Sequence, residues 1–173
     1  MTISLFDALV PSWIQVLGSV TTLLDKAESH CVARSVEPEV LMNARLALDM
    51  RPLSYQIKAT AIHSIGAINA ARQGKFTPDQ SRWPESFSLM KERVESVIEE
   101  LWDLDKDEVN DLAGQNLLFE AGTFRAEFLA EEFLLSFSLP NFYFHVSTGY
   151  GILRAQGLDI GKTDYLGRLR HKS

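Results

Sequence analysis

The chain has 173 residues, 46% of them hydrophobic and 23% charged, with one cysteine and a formal charge of −6. Those totals describe one globular domain with a core of its own and leave no length for a second full domain. They exclude an internal disulfide and a cysteine-rich zinc site, and assign Cys31 the role of a small buried residue.

The first basic residue is Lys26, and no apolar run approaches the roughly eighteen residues of a membrane span, so neither a signal peptide nor a membrane helix is expected. The protein is accordingly read as cytoplasmic, with no membrane partner. Residues 91–111 hold nine acids against three bases, whereas the rest of the chain balances at fourteen of each. Such an acidic patch repels a phosphate backbone, and the basic tail of Arg168, Arg170 and Lys172 is too small to outweigh it, so nucleic acid is excluded as an expected partner.

Residues 4–31 place Leu9, Trp13, Val16, Leu17, Val20, Leu24 and Ala27 at three- and four-residue spacings, which predicts one long amphipathic helix that tolerates Gly18. Glu37-Pro38-Glu39 resembles an acidic helix start, so residues 40–48 are expected to form a short helix ending before Asp49-Met50-Arg51-Pro52. Residues 52–73 carry Leu53, Ile57, Ala61, Ile65 and Ile68 in a single helical period stopped by Gly74, which predicts a second long helix. Beyond a loop at 75–83, Pro84 and Glu85 open a third helix whose apolar positions are Phe87, Met90, Val94, Val97, Ile98 and Leu101. Its other face is the acidic patch.

Between residues 105 and 122 the helical period fails, and residues 116–128 read as a short hairpin turning near Ala121-Gly122. Residues 129–137 return to helix. Seven of the ten phenylalanines fall between Phe119 and Phe144, a concentration that reads as core and not as a cofactor box. Residues 139–157 then carry the helix around which the others are arranged. Pro140 suits its first turn, Asn141 can cap nearby amides, and Gly157 can take the left-handed turn that stops it. Phe142, Val146, Tyr150 and Leu153 form one apolar side and Phe144, Ile152 and Ala155 another, with His145 between them. The tail from 158 to 173, with Gly161 and Gly167, is expected to be irregular and partly docked.

Two apparent motifs fail mechanically. Gly157 to Thr163 ends in Gly-Lys-Thr like a phosphate loop but is one spacer short and follows a helix instead of a strand. Asp105 to Asn116 begins like a calcium loop, yet Val109, Asn110 and Asn116 stand where a ligand, the turn glycine and the bidentate acid are required. The histidines carry more. His30, His63 and His145 fall on predicted long helices, where a bundle can converge imidazoles on one metal, while His171 lies in the tail. Small or uncharged residues flank His63 at helical spacing, among them Gln56, Ala59, Gly66 and Ala67, and Asn141 and Gly149 flank His145, which predicts a pocket between the second and last helices. Asp49, Asn141 and Tyr143 are candidate polar groups at its mouth. A single helical histidine reads first as a hydrogen-bonded core residue, and three together strengthen the metal reading without displacing that one.

His63, with Pro140-Asn-Phe-Tyr-Phe-His145 on the last helix, resembles the DinB/YfiT-like superfamily of four-helix bundles over nearly the whole chain. Ala44-Arg-Leu, Asp49-Met50, Pro52-Leu53, Gln56 and Ile152-Leu-Arg resemble a branch of it known only as a domain of unknown function. The resemblance implies nickel or zinc held by three histidines, one from the second helix and two spaced four apart on the last, and the chemistry of a thiol transferase or a hydrolase. It assigns His63 and His145 as two ligands, leaves the general base unassigned with Asp49 as a candidate, and puts Gly149 where the third ligand would stand. A metal shell would then need His30, a carboxylate or water.

The expected fold is therefore all-α, an up-and-down four-helix bundle with a short hairpin or irregular insert before the last helix, self-associating as a homodimer through an apolar helix face. Two functions are carried forward: a metal-dependent transferase or hydrolase acting on a small molecule, or a non-enzymatic bundle that binds a small ligand or partner protein after loss of the metal.

Overall fold

The computed structural model describes residues 3–172. The chain opens with α1 (Leu5–Arg34), where the Ser4 hydroxyl accepts from the Asp7 amide and the apolar stripe from Leu9 to Cys31 is buried. Pro11 lies within its second turn. A proline there leaves the carbonyl four residues earlier without its helical partner but does not break the helix, because the stripe on both sides is held by the core. Cys31 is buried and free, and that burial, with Glu28 and Glu37 nearby, pushes its thiol pKa up, as expected of an unreactive side chain.

α2 (Pro38–Met42) is shorter than the helix expected at 40–48, and the chain turns irregularly before α3 (Leu53–Ile62). The second long helix is broken as well: α3 ends at His63, and α4 (Ile65–Gln73) begins after Ser64, whose φ and ψ of −118° and −100° are not helical. The cause lies in side chains that bond back to the backbone. The Ser64 hydroxyl donates to the Thr60 carbonyl at 2.7 Å, and a β-carbon on Gly66 would stand 3.2 Å from the Ala61 carbonyl oxygen, so the two segments meet more closely than one straight helix allows. α5 (Phe87–Trp102) starts three residues after Pro84, capped by the Ser86 hydroxyl, and its exposed face is acidic. α1 and α3 each pack against both α5 and the last long helix, α8 (Leu139–Ala155), which closes a four-membered bundle.

The Asp105 carboxylate, first residue of the calcium-like string, caps the short helix α6 (Lys106–Asn110) by accepting from the Glu108 amide. The expected hairpin is present as β2 (Asn116–Ala121) and β3 (Phe124–Leu129), turning at Gly122-Thr123. The all-α expectation needs correction here, because β1 (Lys75–Phe76) pairs in parallel with β2, making a three-stranded sheet ordered β1-β2-β3. Two residues carry no strand signal of their own, and the partner's free edge makes them a strand.

Continuous helix follows the hairpin through α7 (Ala130–Glu132), a π-helical stretch (Phe133–Ser138) and α8. Pro140 thus joins two helical stretches instead of opening a free one, and the widened π turn absorbs its missing N–H just before it. Asn141 does not cap an amide: its side-chain amide donates to the Phe137 carbonyl at 2.8 Å, one turn back. Gly157 takes the expected left-handed stop at φ +86°.

The tail is more ordered than irregular, forming α9 (Lys162–Leu166) against α1. Ser19 donates to the Tyr165 carbonyl at 2.8 Å, the Gln15 amide donates to the Leu166 carbonyl at 2.9 Å, and Lys26 pairs with Asp164 at 2.7 Å. Ser173 lies outside the described residues. At Gly167, φ is +62° and an added β-carbon would fall 3.1 Å from Ser19 Cβ. Gly167→Ala should therefore loosen the tail by about 1–3 kcal/mol, visible as faster amide exchange of residues 161–170. Unchanged exchange there would show that the close approach is not needed. Among the described residues no helix is long and apolar enough to cross a membrane.

Candidate functional site

The break at the end of α3 and the π turn before α8 bring two imidazoles together. His63 caps α3 and His145 lies in the second turn of α8, and their rings sit 5.6 Å apart, centroid to centroid, with planes 13° from parallel. Both are 8% exposed, so each keeps only a narrow opening to water. The surrounding hydrogen bonds set their tautomers. The Gln56 side-chain nitrogen donates to the Arg51 carbonyl at 2.9 Å, which can only accept, so Gln56 Oε1 faces His145 Nδ1 at 2.7 Å and Nδ1 carries the proton. The lone pair of His145 is consequently on Nε2. At His63, Nδ1 lies 3.3 Å from the Ser138 hydroxyl, which itself donates to the His63 carbonyl at 3.4 Å. The π turn places Ser138 in the interior, and its hydroxyl serves the carbonyl that the helix break released.

Aromatic rings enclose the pair. Phe76 of β1 stacks on His63, Phe137 meets it edge-on at 5.6 Å, and Tyr55 and Phe144 flank His145 at 5.9 and 5.3 Å. Tyr55 in turn contacts Trp83, and the Arg51 guanidinium lies over both rings. Burial pushes the pKa of His63 and of His145 down to about 4, and at His63 the neighbouring His145 adds to the effect by like-charge repulsion. Both rings are therefore neutral near neutral pH. As bases they are weak, but as fixed hydrogen-bond acceptors they are well prepared.

The other candidates divide. Gln56 joins the pair directly, and Asn141 stays local through its bond to Phe137. Asp49 is exposed in the connector before α3, and Tyr143 faces the other way, toward Ser12, Tyr165 and Arg170. His30, in the last turns of α1, is half-buried, and among the described residues no three histidines, cysteines or carboxylates stand together as a metal would require. Gly149 is buried against α3: a β-carbon there would lie 3.7–3.8 Å from Leu53 Cδ1, Gln56 Cβ and Ile57 Cδ1. The position four residues after His145 thus lies at a helix crossing, where a β-carbon would already be in van der Waals contact with α3 and where glycine offers no ligating atom. The residues present do not fit a three-histidine metal centre.

Cavities of about 570, 490 and 360 Å³ lie elsewhere, and neither histidine lines any of them. Ser138, Tyr55, Trp83 and Arg51 escaped the sequence reading. Ser138 sits in an ordinary helical run, and the other three come together only after the 77–86 loop has folded back onto α3. There Lys58 holds the loop, donating to the Ser81 carbonyl at 2.5 Å and pairing with Asp79 at 3.2 Å.

A family model described as Domain of unknown function (DUF1993) matches residues 5–166. The structure is similar to that of a DinB family member protein from Shewanella denitrificans, with a TM-score of 0.82 and 26% sequence identity over 98% of this chain and 95% of that chain. No curated protein matches the chain. With this match across most of its length and a fold shared with a DinB family member, the chain belongs to the DUF1993 family, a branch of the DinB-like superfamily.

Proposed function

We propose that this protein is a non-enzymatic DinB-like bundle in which His63 and His145, neutral and held by Ser138 and Gln56, accept hydrogen bonds from a small molecule carrying an N–H or O–H group, and in which the ancestral metal centre has been lost. The observation behind this reading is Gly149, packed on Leu53, Gln56 and Ile57 where a third ligand would have to stand. One observation favours the metal-dependent transferase or hydrolase instead: Gln56 fixes the His145 ring by its Nδ1–H, as outer partners fix ligating imidazoles, leaving Nε2 free.

Elemental analysis of untagged protein, paired with melting in the presence and absence of chelator, separates the two. The expected result is protein without stoichiometric nickel or zinc and a melt unmoved by chelator, since a metal bound only by the folded state would raise stability by mass action. Near-stoichiometric metal that disappears in His63→Ala and in His145→Ala would replace this reading with the metal-dependent one. Gly149→His provides an independent check. It should overpack the α3–α8 crossing, cost about 1–3 kcal/mol and fail to recruit metal, whereas a stable, metal-loaded variant would contradict the proposal. Homodimerisation belongs to the same proposal. Leu135 and Phe144, both exposed, are side chains a second copy could cover, and sedimentation equilibrium measures it.

A further inference from the structure

The docked tail does more than cover α1. Together with the first half of α1 and the end of α5 it lines the half-open cavity of about 570 Å³, a size within the roughly 300–1,000 Å³ of small-molecule sites. Val10, Ile14, Leu101 and Trp102 supply apolar walls, and the tail's Arg168 and Arg170 stand at the rim. Gly18 widens the space, since a β-carbon there would meet nothing within 4 Å. The charges at the rim are unbalanced. Asp164, the carboxylate lining the cavity, is already paired with Lys26 at 2.7 Å. Arg170 is held by neutral oxygens, Ser12 Oγ at 3.0 Å and Gln15 Oε1 at 3.2 Å, and among the described residues no carboxylate pairs with it or with Arg168. In a chain of net charge −6, two guanidiniums that line one apolar hollow and have no acid partner among the described residues suit an anion whose remainder is hydrocarbon.

We propose that this cavity is a binding site for a small anionic amphiphile, a carboxylate with an apolar tail, its head on Arg168 and Arg170 and its chain along Ile14, Gly18 and Trp102. The site is separate from His63 and His145, so its failure would leave the reading of that pair untouched. The test is calorimetric titration of the full chain with monomeric dodecanoate, with dodecyltrimethylammonium as the cationic control. Saturable one-to-one binding of dodecanoate and none of the cation is expected, weakened about tenfold or more in Arg168→Glu and abolished in Gly18→Leu. At position 18 a β-carbon meets nothing within 4 Å and leucine improves helix propensity, so Gly18→Leu should melt no lower than the parent. Absence of saturable binding, or binding that neither substitution weakens, would overturn the proposal. So would capture on phosphatidylglycerol vesicles without dodecanoate binding, which would assign the face to a membrane surface. A dimer broken by Gly18→Leu, again without dodecanoate binding, would assign it to a second copy of the chain and overturn the proposal equally.

Discussion

Between pH 7 and pH 5 the protein should lose about 2 kcal/mol of stability for each of His63 and His145, and the loss should vanish when both are replaced by glutamine. The sign follows from where the protons bind. In the unfolded chain an imidazole takes its proton near 6.5, and in the fold burial holds both rings down to about 4. Throughout that window the unfolded state binds more protons than the native one, so stability rises with pH, is complete above 6.5 and drains away as pH falls toward 4. Most carboxylates titrate below pH 5, so the upper part of the window isolates the histidines. Denaturant midpoints at pH 7 and pH 5 for the parent and for His63→Gln/His145→Gln measure the difference. Equal pH slopes in the two proteins would show that the rings are not held neutral by burial.

Phe133→Ala should cost about 3–5 kcal/mol, a large share of the roughly 5–15 kcal/mol that holds a domain together. Phe133 is fully buried in the π turn and contacts Phe76 of β1, Phe128 of β3 and Phe137 at centroid distances of 5.1, 6.0 and 5.3 Å. It is one of the side chains through which sheet and bundle share one core, with Phe76 and Phe119 packing on Phe137 as well. Its removal leaves a cavity that these rings can close only by moving, and Phe76 and Phe137 are the rings packed on His63. The variant should therefore also show a shallower acid limb, as water reaches His63 and its pKa climbs back toward the ordinary value. Thermal and denaturant unfolding give the first number and the pH series gives the second. A loss below about 1 kcal/mol, the scale of an ordinary point substitution, would mean that the sheet is not anchored through this residue.

The helices were legible because a buried face imposes its period on the sequence. The stripe of α1, the apolar face of α5, the Gly157 stop and the hairpin near Gly122 could all be read from residue spacing and turn chemistry, whereas the serine that caps α5 escaped the sequence reading. Residue spacing grouped His30, His63 and His145, and it was the resemblance that singled out His63 with His145 and marked the departure at Gly149. Features that depend on distant partners could not be read. β1 is a strand because the edge of β2 is there to pair with it. Residues 52–73 carry one uninterrupted apolar period, yet the helix divides at Ser64, since side-chain bonds to Thr60 and a carbonyl served by Ser138 make the break affordable only in the packed state. The tautomer of His145 depends on Arg51, whose carbonyl orients Gln56 from outside the helix. The sequence by itself determined where most of the helical segments run, because periodicity and turn chemistry are local. Only the tertiary structure decided what stands beside each of them, because a helix crossing, a widened turn and a docked tail are set by contacts between segments that share no sequence signal.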